Sequence, residues 1–501
     1  MTAIGGLLLD ALRAHPGHVA FRYGEAAITY AEAERLLLGV ADTLAEAGLR
    51  PGDTVVQIRR NDPLQWLVNA ACYVAGFRSA AVPPGALRGA ALAERLDRVA
   101  PDAVLAEPGD PDLDAWLLAH PRVRLLTADP TAVRTDAPVR LTFPSDATGP
   151  PKNDEPSGDA DAVVRLAFTS GATGPVKGVE LSAGALGAVA TALRDTLPWP
   201  ERPRVLCPES VSGGFGNMVL PTLMLGGTFL IPGRPGPDGL LEATARHRPN
   251  VLMAMPPALR ALLAHPDAAA HDWSPLALVV YSGAALTDAE VERAHALFGE
   301  VLCGVFGQVE APKTIAWTSP ADHRDPLLRS SLGLPFPGTE VRICGPGGGE
   351  LPAGKAGELW VRGPTIARGY AFPAGTPIVD GWLRTGDVCR RDPGGRLHYV
   401  NRVQHVLRIG DAYVCPSDLE EVVSRRTGHP AAVVPTGPAN VAVLVVGDPP
   451  PETVRDAVRA ALREVPVPPD AVSIDAVVPA ERLPRDVMGR LDRTRLAEAA
   501  R

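Results

Sequence analysis

One stretch of this 501-residue chain gathers groups that could hold a polyphosphate: Phe168 to Val179, FTSGATGPVKGV. It carries Thr169, Ser170 and Thr173, the glycines Gly171, Gly174 and Gly178, Ala172 among them, and Lys177 near its end. Small residues let backbone N–H groups come close to phosphate oxygens, while hydroxyls and an ammonium add donors. The run AVVRLAF before the loop reads as a strand, and SAGALGAVATALRD after it has apolar residues at helical spacing. The expected setting is strand, glycine-rich loop, helix, with an anion near the helix N-terminus. The Walker pattern GxxxxGK[ST] does not occur. A surface turn rich in Gly and Ser is the alternative. Composition bears on the choice: four of the 49 basic residues are Lys, so a Lys at this rim is not the chain's default cation.

The loop resembles the phosphate loop of adenylate-forming enzymes: acyl-CoA synthetases, luciferase-like enzymes and peptide-synthetase adenylation domains. Their usual form is [YF]-T-S-G-[ST]-T-G-x-P-K-G-V. Here Ala172 stands in one hydroxyl position and the Pro has moved one place forward, to Pro175. Other stretches are similar to that family in the same order along nearly the whole chain. YSGAAL, Tyr281 to Leu286, resembles a G-G-A-P-L turn, which implies that the backbone of Gly283, Ala284 and Ala285 lies against the adenine and the acyl pocket. By itself it is a strand-to-helix turn. GVFGQVEAP, Gly304 to Pro312, resembles Y-G-x-T-E-A. The resemblance implies that Phe306, Gly307, Gln308 and Val309 border the nucleotide, and that Glu310 coordinates a Mg²⁺ bridging ATP phosphates, a cation that demands hard oxygen ligands. A helix cap near Pro312 is the plainer use of that carboxylate. Val309 takes the place of the family's Thr.

RTGD (Arg384 to Asp387) with GRLHYVNR (Gly395 to Arg402) resembles the ribose-binding region. The resemblance implies that Asp387 accepts from both ribose hydroxyls, that Arg402 holds ribose or phosphate with its fork of donors, and that Tyr399 stands beside them. Taken singly, TGD is a common turn and Arg402 a surface cation. LPRDVMGRLDR, Leu483 to Arg493, resembles L-P-R-T-x-x-G-K-x-x-R, whose Lys is expected to bridge the substrate carboxylate and the α-phosphate. Arg490 occupies that place, with a planar fork instead of a compact ammonium. Gln404 replaces an Asp or Lys hinge, and LRIGD puts Asp411 where I-K-x-x-G has its Gly. RVLCPESVSGGFGNMVLPTLMLGG, Arg204 to Gly227, is similar to the P-x-F-H-x-x-G segment of the acid pocket. Val211 falls at its aromatic or His position, or at the amine-binding Asp position of amino-acid-activating members. Phe215, Gly216, Tyr281 and Gly304 are expected to line the pocket with it. Glu209 either binds a substrate amine or is a helix-start carboxylate. No buried cation is evident here, so an apolar or weakly polar acid is expected.

The elements that must position these groups follow an α/β pattern. Residues 1–144 alternate strands and helices, among them a helix opening at Thr29, a strand DTVVQI and a buried helix PLQWLVNAACYVAGF. Residues 145–160, rich in Pro, Gly, Asp and Ser, read as an exposed, mobile connector. Gly394-Gly395 marks a hairpin. From about 405 onward there is a smaller helix–strand–helix–strand unit. The expected fold is a large multi-layer α/β domain, residues 1–402, and a small mobile α+β domain, residues 403–501.

Composition narrows the partners. A net charge of −8 with no basic block argues against nucleic acid. Six scattered cysteines form no CxxC, which fits a reducing cytoplasm better than a disulfide framework or zinc site. No apolar run reaches the length of a membrane span, and GGLLLDAL is too short and lacks the basic flank of a signal peptide. The expected function is ATP- and Mg²⁺-dependent activation of a small carboxylic acid as an acyl adenylate. Transfer would follow to a thiol, of CoA or of the phosphopantetheine of an acyl carrier protein, or to another nucleophile such as an amine. The alternative is a nucleotide-binding, weakly or non-catalytic partner protein, motivated by Val309, Gln404, Asp411 and Arg490.

Overall fold

A computed structural model of the chain describes residues 3–107, 109–127, 139–140, 156–169, 176–372, 375–410, 412–463, 467–468, 471–486 and 491–500. Two broad sheets dominate it. One runs, edge to edge, through Leu334–Pro335, Ala311–Thr318, Leu302–Gln308, Leu278–Ser282, Val251–Ala254, Arg204–Leu206, Thr228–Ile231, Val19–Tyr23 and Ala26–Thr29. The other runs through Gly369–Phe372, Gly178–Ser182, Val163–Phe168, Arg78–Ala81, Thr54–Ile58, Ala103–Ala106, Arg124–Thr127 and Val139–Arg140.

Both sheets are covered on two faces, and the alternation of side chains along each strand shows it. Val55 joins the largest core, whereas its neighbour Val56 joins a second core under the helices Gly89–Val99 and Pro111–Ala119. In the other sheet Val280 faces the largest core, while Val279 and Tyr281 face a third, under the helices Gly236–His247, Pro256–Leu263 and Asp288–Phe298. The largest core therefore lies between the sheets, and the helices Pro63–Ala75 and Ala183–Thr196 fill it. That is why Pro63–Ala75 is apolar nearly all round. Asp62 caps its N-terminus through the Gln65 N–H, Pro63 opens it, and Gly76 ends it in the left-handed conformation. Helix Tyr30–Glu46 begins, as expected, at Thr29, in a reciprocal capping box with Glu32.

A third sheet holds Glu340–Cys344, Gly357–Arg362, Trp382–Arg391, Ile378–Val379 and Leu397–Arg402. The hairpin expected around Gly394-Gly395 is its pair Trp382–Arg391 and Leu397–Arg402. Among the described residues beyond Arg402 the strands pair with one another: Leu407–Ile409 with Ala412–Val414, and Ala431–Gly437, Asn440–Val446 and Ser473–Ala480 in one sheet. Helices Pro416–Thr427 and Pro451–Leu462 pack on that sheet around a core of their own. Arg493 fastens the last helix, Arg493–Ala499, to the unit through Glu420 and the Val433 carbonyl. Most of the connector expected at 145–160 lies outside the described residues.

The setting of the glycine-rich loop differs from the expectation. Residues 169–177 join two antiparallel neighbours, Val163–Phe168 and Gly178–Ser182, and helix Ala183–Thr196 begins only after the second strand, capped by Ser182. Strand, loop, strand replaces strand, loop, helix. Helix Ala183–Thr196 therefore does not follow the loop directly in the chain. The β-rich run GVELS was too short to show as a period between two stronger signals.

Candidate active site

Lys177 leaves the loop where Thr169 closes it. The Thr169 N–H donates to the Lys177 carbonyl, and the Lys177 N–H donates to Thr169 Oγ1, each at 3.2 Å. The neighbouring strand Gly369–Phe372 sets Tyr370 opposite Val179. Lys177 Nζ donates to the Tyr370 hydroxyl at 3.2 Å, and that hydroxyl donates to Glu310 Oε1 at 2.7 Å. Burial first, and then the Glu310 carboxylate, raise the Tyr370 phenol well above its ordinary range, so it stays a proton donor. Three groups far apart in sequence thus form one chain from ammonium to phenol to carboxylate. Tyr370 was not among the residues singled out from sequence, because a lone tyrosine 60 residues from Glu310 and 193 from Lys177 carries no local pattern.

Glu310 sits in the turn between Leu302–Gln308 and Ala311–Thr318, so it caps no helix. The Ala367 N–H donates to its carbonyl at 2.7 Å. Its side chain is buried, 7% exposed, and among the described residues only Oε1 has a protein donor. A carboxylate oxygen without a protein donor suits one Mg²⁺ ligand. No group of three or more His, Cys, Asp or Glu side chains among the described residues is placed to hold a metal, so such an ion would take its remaining ligands from phosphate and water.

The hairpin of the third sheet places Asp387 directly opposite Arg402. Asp387 is 4% exposed; its Oδ1 lies 3.1 Å from Arg402 Nη1, and its Oδ2 accepts from the Gln308 amide. Gln308 Nε2 and Arg402 Nη1 both also donate to the Thr385 carbonyl, at 2.9 and 3.0 Å. An ionised carboxylate offers two acceptor oxygens, the chemistry that a pair of ribose hydroxyls needs. A bulge at Val400 brings the Cys389–Tyr399 pair onto the same face as Asp387–Arg402, with Tyr399 40% exposed. Gly283, in the left-handed region, and Ala284 and Ala285 form the turn that leads to helix Asp288–Phe298.

The segment after Arg204–Leu206 is pinned by buried donors. The Asn61 amide donates to the Glu209 carbonyl and accepts from the Val211 N–H, Trp66 Nε1 donates to the Gly216 carbonyl, and Arg165 binds the Ser212 carbonyl. The chain folds so tightly that a Cβ on Gly216 would stand 1.9 Å from the Val211 carbonyl oxygen, which only Gly permits. Val211 and Phe215 enter the largest core. Tyr281 and Gly304 do not join them: they are paired across the opposite face of their sheet, where Tyr281 donates to or accepts from His323 Nε2 at 2.8 Å and the Gly304 N–H donates to Thr318 Oγ1. The one-residue alternation of a strand decides that face. Glu209 Oε1 accepts from the Met255 N–H ahead of helix Pro256–Leu263, the contact that a helix-start carboxylate makes.

Sequence reasoning also missed a buried cation. Lys313 is 6% exposed, and its Nζ lies 3.6 Å from the Phe215 ring centroid. Its backbone is left-handed, φ 61°, where the Leu302–Gln308 and Ala311–Thr318 hairpin loses register; a Cβ on the facing Gly307 would stand 2.2 Å from the Lys313 nitrogen. A bulge re-aims a side chain, and no helix or strand period foretells one. Burial lowers the Lys313 pKa from 10.5 to about 8, with Cys207 and Glu209 pulling the other way. Between these values the unfolded chain holds more protons than the folded one, so stability gains with rising pH. Lys313→Met should accordingly be more stable than the parent at pH 7, by an amount that shrinks as pH rises from about 8 towards 10.5. Urea midpoints of both proteins at pH 7 and pH 10 measure this, and a constant difference would contradict it.

Ser170, Gly171, Ala172, Thr173, Gly174, Asp411 and Arg490 lie outside the described residues. No helix among the described residues is long and apolar enough to cross a membrane.

Comparison with known proteins gives the family. The family model of AMP-binding enzymes matches residues 8–371. A feruloyl-CoA synthase from Amycolatopsis is 31% identical over 440 residues, 84% of this chain and 83% of that protein. The medium/long-chain-fatty-acid–CoA ligase FadD8 of Mycobacterium tuberculosis is 33% identical over 236 residues, 46% of this chain and 41% of that protein. The solved amide bond synthetase McbA from Marinactinospora thermotolerans superposes with a TM-score of 0.81 at 29% identity, covering 99% of both chains. With the family model spanning well over half of its length, the chain belongs to the AMP-binding, adenylate-forming enzymes.

Proposed function

We propose that this chain activates a small carboxylic acid with an apolar or weakly polar body, using Lys177, Glu310 and Arg490 at the phosphates and Asp387, Arg402 and Tyr399 at the ribose. A carboxylate oxygen of the acid attacks the α-phosphorus of ATP, the bond to the β-phosphate bridging oxygen breaks, and pyrophosphate leaves with its electron pair. The observation that carries the reading is the Lys177–Tyr370–Glu310 chain, which joins the end of the glycine-rich loop to a buried carboxylate that suits Mg²⁺. Glu310 would hold the ion, which when bound neutralises charge on the phosphates. The protein's own part is placement: Thr169 orders the loop end, Tyr370 holds Lys177 and Glu310 at fixed separation, and Gln308 and Arg402 orient Asp387. Pyrophosphate exchange across a panel of acids, with the acyl adenylate sought by mass spectrometry, tests the reading. Exchange with no acid would overturn it and favour a non-catalytic partner protein.

In the second half-reaction a thiol of CoA or of a carrier protein's phosphopantetheine attacks the acyl carbon and AMP leaves. The small unit, residues 403–501, would turn about residues 402–404 between the two steps. Likeness to an amide bond synthetase along 99% of both chains gives a second reading, in which an amine is the acceptor. Supplying CoA and a simple amine separately to preformed acyl adenylate separates them.

Asp387→Ala should weaken ATP binding by about 1.5–3 kcal/mol, the range for a hydrogen-bonded charged group. Calorimetry on a variant whose unfolding transition stays cooperative measures it. Parental affinity would remove the ribose role from Asp387.

A further inference from the structure

We propose that Lys313 sets substrate choice: the acid this chain activates carries, on its otherwise apolar body, a neutral acceptor such as a hydroxyl, carbonyl or ether oxygen, which the Lys313 ammonium holds. This rests on the ligase reading above. Lys313 is more than nine-tenths buried, yet among the described residues its Nζ has no hydrogen bond or ion pair. Burying a cation without an acceptor is costly, and the face of Phe215 replaces only part of the lost hydration. The ammonium is packed against the pinned segment that holds Val211 and Phe215; a side chain at Gly214 would touch it, with a Cβ 3.8 Å from Nζ. Lys313 also stands three residues from Glu310 on the same hairpin, so the Mg²⁺ end and the acid-body end are fixed by one rigid element.

The sign of the acceptor follows from what is already there. Glu209 lies close enough to favour the protonated form of Lys313, while its Oε1 takes the Met255 N–H. One buried cation and one nearby carboxylate balance. A neutral acceptor keeps that balance; a second carboxylate on the substrate would leave a net negative charge in a poorly hydrated space. An acid with a plain hydrocarbon body would leave the ammonium unpaired.

The test compares pyrophosphate release with matched acids on two scaffolds, a cinnamic acid and a medium-length aliphatic acid, each carrying hydroxyl, methyl or carboxylate at the far end. On the better scaffold the parent enzyme should prefer hydroxyl over methyl in kcat/KM by about tenfold or more, the scale of a hydrogen bond to a charged group. Lys313→Met keeps the apolar stem and should reduce that ratio to within about twofold while ATP affinity stays at the parental value. Lys313→Gln, a neutral donor, should restore part of the preference, a result that a purely structural role would not give. Equal use of hydroxyl and methyl acids, a preference that survives Lys313→Met, or a preference for the second carboxylate would each overturn the proposal and leave the ligase reading intact. No adenylate from any acid would overturn both.

Discussion

Glu310→Gln should lower pyrophosphate release by about a hundredfold or more, the scale of losing one preorganised electrostatic contact to a reacting phosphate. The substitution keeps the side chain's shape, and a glutamine oxygen can still accept the Tyr370 hydroxyl, so the 2.7 Å bond that holds the turn survives. What goes is the negative charge that would make the other oxygen a Mg²⁺ ligand. Raising Mg²⁺ should therefore recover part of the rate. Tyr370→Phe gives the complementary case: it leaves the charge and removes the link to Lys177, so the rate should fall less, by roughly tenfold, and Mg²⁺ should not restore it. Activity of Glu310→Gln at the parental level under limiting Mg²⁺ would take the metal role away from this residue.

Arg490→Ala should cut acyl-adenylate formation by two or more orders of magnitude, if its contact to the α-phosphate and the acid's carboxylate is worth about 3 kcal/mol. A guanidinium can bond both groups at once, although less compactly than an ammonium. Transfer from supplied acyl adenylate should stay nearly intact, because that step would use the other orientation of the small unit. Arg490→Lys should preserve or raise the adenylation rate. Three residues on, Arg493 binds Glu420 and the Val433 carbonyl. An Arg490→Ala enzyme that adenylates at the parental rate would make the residue a bystander. Loss of both half-reactions would point instead to a damaged small unit.

The family and the local parts are legible in the order of residues. The chain's ordered motifs name residues by type, and the cap at Thr29 and the glycine pair at Gly394-Gly395 act within a few residues. Such features depend on short-range hydrogen bonding and backbone preference, which a window of sequence contains. Which of the named residues meet depends on how the strands pair in the folded chain. Tyr370 became the link between Lys177 and Glu310 because an edge strand pairs with Gly178–Ser182. Tyr281 and Gly304 turned to the opposite face from Val211 because a strand alternates at every residue. Lys313 came to lie over the Phe215 ring because the hairpin loses register opposite Gly307. Each of these outcomes depends on pairing between segments tens to hundreds of residues apart, where a shift of one position reverses the side chain's direction, and no local pattern of residue types fixes that position.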